Sequence, residues 1–422
     1  MTFERTLTQI LPHFKDKLLF IFGPRQAGKT FLIQHKLKPN LDLNMDIPKD
    51  RLAFKKFPEF IIQWYEKNWG AFPIINPAKH KPLVFLDEIH KVKGWRNLIK
   101  GTYDKTSHAI NYVASGSSAF HLRKQDQGDS LAGRAVWLPL FPLSFREYVT
   151  SQTSSLKLEK PWKGETAIIP KIKALLPQQK QLRHYWDFYS QYGSFPENLV
   201  RQDMLFFKQW LEDYQTAMLD RDLKDLHLGK DVERIWQVYQ LLLEGLGSTY
   251  SLRSLAETLQ VSPNTIKNDL LALRQVLWGF ELPVCVVSKA KQIRKEKKFY
   301  PIDFSFVNYT SDFEAGARFE TQVACLLYRG LFSETSGVFP ALQLGFYRDY
   351  QQHEIDFVIR TKKEILASIE CKLKAKQSLQ STPRLEKLGA KEALWVIAEP
   401  GIFEKTNSGW IISIEFFAAI LA

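Results

Sequence analysis

Leu18-Leu19-Phe20-Ile21-Phe22 runs directly into Gly23-Pro24-Arg25-Gln26-Ala27-Gly28-Lys29-Thr30. The first five residues are a continuous apolar run of strand length, the kind that is buried on both faces of a parallel sheet. The next eight are a phosphate-loop (Walker A) pattern, placed as it should be between a strand and a helix. The chemistry demands these residue types. Gly23 and Gly28 let backbone N–H groups curl round phosphate oxygens, Lys29 reaches the terminal phosphates, and Thr30 offers its hydroxyl to Mg2+. Pro24, Arg25, Gln26 and Ala27 complete the loop, and residues 31–36 read as the helix whose N-terminal dipole faces the same phosphates. A glycine-containing turn from strand to helix can match the pattern without binding anything, so a second element is needed.

Leu83-Val84-Phe85-Leu86-Asp87-Glu88 supplies it: another buried strand, ending in two carboxylates (Walker B). Asp87 is expected to hold Mg2+, and Glu88 to orient or deprotonate the attacking water. A third strand, Asn111-Tyr112-Val113-Ala114, leads into Ser115-Gly116-Ser117-Ser118. The run is similar to the strand of AAA-type proteins, and that resemblance implies that Ser115 is the polar residue sensing the γ-phosphate, although a plain Ser/Gly turn reads the same way. Ser130-Leu131-Ala132-Gly133-Arg134 follows, with Arg134 placed like an arginine finger or, equally, as a surface arginine.

These runs, with Ile89-His90-Lys91-Val92, Trp95, Pro142-Leu143-Ser144-Phe145 and Glu147, resemble the prokaryotic AAA-type P-loop ATPases that carry a C-terminal restriction-endonuclease-like domain of the PD-(D/E)XK class. The resemblance implies an ATP site over residues 1–150, and an α/β fold with an AAA-type parallel sheet, a helical lid and further C-terminal domains. Tyr192-Gly193-Ser194-Phe195-Pro196-Glu197 is similar to that family's Gly-Gly-Phe-Pro-Glu segment, in which the proline, here Pro196, is expected against the adenine. Ser194 departs from the pattern at the second glycine. Asp220-Arg221-Asp222 matches a further signature of the family.

Residues 151–180, rich in Ser, Thr, Lys and Pro, read as a linker or insertion, and residues 181–230 as the helical lid. Residues 231–302 then show three helical patterns, a strand, a basic hairpin tip and a return strand, which is the order of a winged helix. Ser262-Pro263 is a strong start for the third helix. In a DNA-binding reading Asn264, Lys267, Asn268 and Arg274 face a groove, while Lys289, Lys291, Arg294, Lys295, Lys297 and Lys298 meet phosphates. A winged helix used only for packing against protein predicts the same fold.

Residues 303–422 carry the last constellation. A helix over 315–331 places Glu320 at the edge of an apolar stripe, and a hairpin turning at 361–364 carries Asp356, then Glu370-Cys371-Lys372. Glu370 and Lys372 share one face of a strand, and Asp356 joins them if it lies opposite Glu370. Any half-exposed strand alternates charged and apolar residues in this way. The family resemblance makes the set a PD-(D/E)XK site, with Glu320, Asp356 and Glu370 holding Mg2+ and Lys372 orienting or helping to deprotonate water.

The totals set bounds. A length of 422 residues favours two or three domains, and 45% hydrophobic with 24% charged residues excludes a disordered chain. Cys285, Cys325 and Cys371 are too far apart for a disulfide framework or a zinc site, and they suit a reducing cytoplasm. Glu4, His13, Lys15 and Asp16 interrupt any signal-peptide core, and no run is long enough to span a membrane. A net charge of +13 favours a polyanionic partner. The expectation is a cytoplasmic ATP-hydrolysing protein that binds DNA and couples nucleotide state to a metal-dependent nuclease-like domain, with ATP and Mg2+ as cofactors. Two rivals remain. One is a nucleotide-switched regulator that assembles with copies of itself and whose nuclease-like domain binds without cutting; the other is a transcription regulator that senses ATP.

Overall fold

The computed structural model describes residues 3–14, 16–57, 59–73, 81–116, 131–153, 156, 158–164, 167–225, 231–285, 297–308, 313–332, 342–349, 351, 353–378 and 388–421. The chain divides into two compact units, Arg5–Phe141 and Met1–Glu4 with Pro142–Ala422. Among the described residues no helix is long and apolar enough to cross a membrane.

The first unit is built on a five-stranded sheet of β1 (Leu18–Phe22), β2 (Leu41–Asn44), β3 (Leu83–Asp87), β4 (Asn111–Gly116) and β5 (Ala135–Pro139). Its order is β2-β3-β4-β1-β5 and every pairing is parallel. Alternate residues feed two separate cores. Leu18, Phe20, Val84, Leu86, Tyr112 and Trp137 lie in one, and Leu19, Ile21, Phe85, Val113 and Leu138 in the other. Burial on both faces is why these strands read as unbroken apolar runs. Parallel strands also end together, so the loop after β1, Asp87 at the end of β3 and Ser115 near the end of β4 meet at one sheet edge, with Ile21 paired to Ser115 and Asn44 to Asp87.

In the second unit Ser144 caps the helix Phe145–Gln152, with Glu147 returning the bond in a capping box. Residues 151–180, expected as a linker or insertion, contain the helix Ile168–Lys173. The backbone N–H groups of Ile168 and Ile169 donate to the Glu392 carboxylate, and Trp162 is buried. Helices Gln179–Tyr192, Pro196–Arg201 and Met204–Ala217 follow. Next come helices Val232–Glu244, Leu252–Thr258 and Pro263–Gln275 and a small antiparallel sheet of β6 (Thr249–Tyr250), β7 (Gly279–Pro283) and β8 (Lys297–Pro301), in the order β6-β8-β7. Ser262 accepts a bond from Thr265 N at 3.1 Å and Pro263 is the first helical residue, as the sequence requires.

The helix Ala315–Phe332 buries Phe319, Val323, Leu326, Leu327 and Gly330. The C-terminal sheet comprises β9 (Gln343–Arg348), β10 (Glu354–Arg360), β11 (Ile365–Lys372), β12 (Glu392–Ile397), β13 (Phe403–Lys405) and β14 (Trp410–Ser413), in the order β13-β14-β12-β11-β10-β9. β9, β10 and β11 are antiparallel neighbours, whereas β11, β12 and β14 run parallel.

Candidate functional site

The loop after β1 is shaped by two glycines. A Cβ on Gly23 would stand 2.0 Å from the Leu140 carbonyl oxygen, and Gly28 sits at φ +92° in the left-handed region. Lys29 is 6% exposed, and its Nζ donates to the carbonyls of Gly23 and Pro24, each at 2.9 Å. Thr30 Oγ1 donates to Asp87 Oδ2 at 2.9 Å. Ser115 Oγ donates to the other oxygen, Oδ1, which also accepts the Glu88 N–H at 3.1 Å. Burial pushes the Asp87 carboxyl above the usual carboxylate range. The Ser115 bond opposes that shift, the Glu88 charge adds to it, and Thr30 and Lys29 pull it back.

Glu88 lies just past β3 in the left-handed region at φ 51°, with its Oε2 3.3 Å from His90 Nδ1. Thr30, Asp87, Glu88 and Ser115 are therefore one contiguous group at the sheet edge, reached by the Lys29 loop. These residues fit Mg2+ with a triphosphate: a hydroxyl and a carboxylate converge beside a loop that admits no side chain at Gly23.

Sequence reading missed Arg5. It is 7% exposed, and its guanidinium donates to the Ala27 carbonyl inside the loop at 2.9 Å and to the Phe141 carbonyl. A lone arginine ahead of a short apolar helix carries no signal that it turns inward.

Arg134 lies elsewhere. Its carbonyl accepts from Leu18 N at the start of β1, so the whole strand, about 13 Å at ~3.3 Å per residue, separates it from the loop. Its side chain is half exposed and holds both oxygens of Asp104. These contacts are those of the surface reading. Pro196 belongs to the second unit, where it opens the helix Pro196–Arg201.

The C-terminal cluster forms as the strand register requires. Phe357 pairs with Ile369, and the next step of that ladder sets Asp356 opposite Glu370. The turn 361–364 has an even number of residues, which by itself would put the two on opposite faces; the register shifts at Ile359/Arg360, leaving Leu366 as the extra residue and restoring the parity. Asp356 Oδ2 accepts the Cys371 N–H at 2.7 Å, and Lys372 Nζ lies 3.1 Å from Glu370 Oε2. Burial, then the Glu320 charge, push the Asp356 carboxyl up to about 7, against Lys298, the Cys371 N–H and Lys372.

Glu320 arrives from the helix Ala315–Phe332 but is already taken: Lys298 Nζ is 2.8 Å from its Oε1 and the Tyr300 hydroxyl donates to the same oxygen at 2.5 Å. Lys298 also lies 2.5 Å from Glu354 Oε1. Its burial works to lower the ammonium pKa, and the charges of Glu320, Glu354 and Asp356 outweigh this and raise it. Among the described residues no three His, Cys, Asp or Glu side chains are grouped to hold a metal ion. Of the expected Mg2+ ligands, Glu320 and Glu370 are each held by a lysine, Lys298 and Lys372, while Asp356 carries the Cys371 N–H, and in this arrangement they do not fit a divalent ion.

Of the residues expected at DNA, Asn264, Lys267 and Asn268 are exposed on the helix Pro263–Gln275. Lys297 pairs with Glu281 at 3.0 Å, and Arg274 with the same carboxylate at 2.8 Å. Lys298 corrects the sequence reading: it is 0% exposed and faces carboxylates, not solvent. Lys289, Lys291, Arg294 and Lys295 lie outside the described residues.

Comparison with known families finds an AAA domain over residues 15–149, a domain of unknown function (DUF8612) over 183–316 and another (DUF4143) over 315–417. Relatives include an uncharacterized protein of Methanocaldococcus jannaschii, 26% identical over 406 residues, covering 90% of this chain and 80% of that one. Another, from Haemophilus influenzae, is 22% identical over 377 residues, covering 86% and 84%. Among solved structures the chain is similar to the Aeropyrum pernix ORC1 protein in complex with DNA (11% identity, 73% of this chain and 86% of that chain, TM-score 0.29). It is also similar to the Aeropyrum pernix ORC2 protein (12%, 69% and 86%, TM-score 0.35). The parallel sheet, its loop and the match over the same residues agree: between residues 15 and 149 the chain carries a P-loop ATPase domain of the AAA type.

Proposed function

We propose that this protein binds and hydrolyses ATP, and that its nucleotide state controls a DNA-binding segment and a C-terminal nuclease-like domain. The observation that carries the first part is the junction of Thr30 Oγ1 with Asp87 Oδ2 at 2.9 Å beneath the Lys29 loop. When bound, Mg2+ supplies charge neutralisation across the phosphates, with Thr30 and Asp87 as its holders. Lys29, released from the Gly23 and Pro24 carbonyls, is free to meet phosphate oxygens. Glu88, one residue beyond the buried strand, orients or deprotonates water, and Ser115 keeps Asp87 turned toward Thr30. Steady-state ATP turnover in Lys29→Ala is the test: activity at the wild-type level would remove this reading. Any catalytic role of Arg134 would act on a neighbouring copy in a homo-oligomer.

The DNA part rests on the net charge of +13 and on the exposed row Asn264, Lys267 and Asn268 in a helix–helix–hairpin order that matches a winged helix. Affinity for duplex DNA should fall steeply with salt.

For the C-terminal domain, Asp356 opposite Glu370 with Lys372 beside them supports the PD-(D/E)XK likeness. A second reading, a nuclease-like module that binds a partner without cutting, is favoured by one observation: Glu320 and Glu370 are each held by a lysine, and among the described residues no three acids are grouped for a metal. Plasmid and single-stranded DNA incubated with Mg2+ or Mn2+, with and without ATP, separate the two. Scission lost in both Asp356→Ala and Lys372→Ala would establish the nuclease, and its absence throughout would leave the binding module.

A further inference from the structure

We infer that Lys298 is the built-in cation of the C-terminal acid cluster, occupying the position a divalent ion would need. The ammonium reaches the cluster from β8, the central strand of the small sheet of the three-helix segment, and its side chain is fully buried. Its Nζ touches Glu320 Oε1 at 2.8 Å and Glu354 Oε1 at 2.5 Å. Tyr300, two residues along and so on the same face of β8, donates to the same Glu320 oxygen. Arg348 holds the other Glu354 oxygen at 2.5 Å, and Lys372 holds Glu370.

Four carboxyl groups, Glu320, Glu354, Asp356 and Glu370, are thereby matched by three cations, Lys298, Arg348 and Lys372. A divalent ion added to this set would stand in contact with a fully buried ammonium, and at most one of its two charges would be offset by the unmatched carboxyl. Glu370 is 2% exposed, and its Oε1 is buried without a hydrogen-bond partner, an unused acceptor on the strand position opposite Asp356. Taking away the Lys298 charge leaves Glu320 and Glu354, with Asp356 beside them, as hard donors around an uncompensated negative charge, which is what Mn2+ or Mg2+ selects.

The assignment rests on the binding-module reading of this domain, and the two fail separately: strand scission tests that reading, whereas metal binding tests Lys298. Mn2+ is titrated into the nucleotide-free full chain, bound and free ion being followed by electron paramagnetic resonance, and thermal midpoints are recorded with and without the ion. Wild type should show no Mn2+ binding that depends on Glu320 up to millimolar ion. Lys298→Met should gain at least about tenfold in Mn2+ affinity from the loss of one contacting charge, lose that gain when Glu320→Gln is added, and have its midpoint raised by Mn2+. Lys298→Gln, which keeps a donor toward Glu320, is read the same way if Lys298→Met does not fold. Should neither variant fold, the wild-type titration decides: Glu320-dependent Mn2+ binding there overturns the assignment, and its absence upholds it. A folded Lys298 variant with no gain also overturns it.

Discussion

Replacing Arg329 with methionine should destabilise the second unit severely, and the structure fixes the size of the effect. Arg329 is 2% exposed on the helix Ala315–Phe332 and its Nη1 lies 3.0 Å from Asp303 Oδ2, a carboxylate with no exposure at all. The same Nη1 donates to Ser194 Oγ, and Nε donates to the Cys325 carbonyl at 3.2 Å. Methionine follows the arginine stem to about Nε and vacates the three atoms beyond it, so lost packing should add on the order of 1–2 kcal/mol. The larger cost is a buried carboxylate without its cation, about 3–5 kcal/mol. Three donors remain on Asp303: Ser305 N at 2.9 Å, Ser194 N at 3.3 Å and the Ser194 hydroxyl. They hold that cost near the lower end, about 3 kcal/mol. With urea slopes of roughly 1–3 kcal/mol/M, the unfolding midpoint should fall by about 1 M or more. Equilibrium urea denaturation followed by tryptophan fluorescence reads this directly. Adding Asp303→Asn to Arg329→Met should restore part of the loss, because it removes the stranded charge. A single variant within ~0.5 kcal/mol of wild type, where unremarkable surface changes fall, or a double variant whose losses simply add, would refute the reasoning.

Gly23→Ala places a methyl 2.0 Å from a backbone oxygen that no rotamer can move, so the loop must shift on the ångström scale. ATP turnover should drop on the order of 10²-fold, and fluorescent-nucleotide binding at wild-type affinity would contradict this. Asp356 makes a pH prediction with a definite sign. Its folded-state pKa of about 7 lies above the unfolded carboxylate value, so the stability it contributes is fully present below about pH 4 and is lost as pH rises through about 7. The contribution is on the order of 4 kcal/mol, and the stability of wild type relative to Asp356→Asn should decline over that window. A difference that stays flat between those limits would sink it.

What could be read in advance was whatever is local. The loop from Gly23 to Thr30 and the strands ending at Asp87 and Ser115 are continuous runs, and parallel pairing alone brings their ends together. Three features needed the fold. Asp356 meets Glu370 only through the extra residue at Leu366, and an apolar residue in an apolar strand gives no sign of being unpaired. Arg5 acts on a loop 22 residues away. Lys298 reads as one more charge in the basic stretch from Lys289, yet strand alternation turns Lys297 toward Glu281 and Lys298 the opposite way, toward acids 22 and 56 residues downstream.

The departure at Ser194 shows how such a residue becomes intelligible once its partners are known. Gly193 has φ +75°, and a Cβ there would stand 2.5 Å from the Ser305 Cβ and 2.6 Å from Asp303 Oδ1, so only glycine fits. Position 194 carries neither demand, since its φ is not among the left-handed ones. A serine there adds a hydroxyl that donates to Asp303 and accepts from Arg329, in a site with no exposure to water. Its backbone is committed as well, with the Ser194 carbonyl accepting from Leu143 N at 2.8 Å. The second glycine of the resembled Gly-Gly-Phe-Pro-Glu pattern is therefore replaceable here because the Ser194 hydroxyl bridges the buried Arg329–Asp303 pair, while the first is fixed by the space that Ser305 and Asp303 occupy.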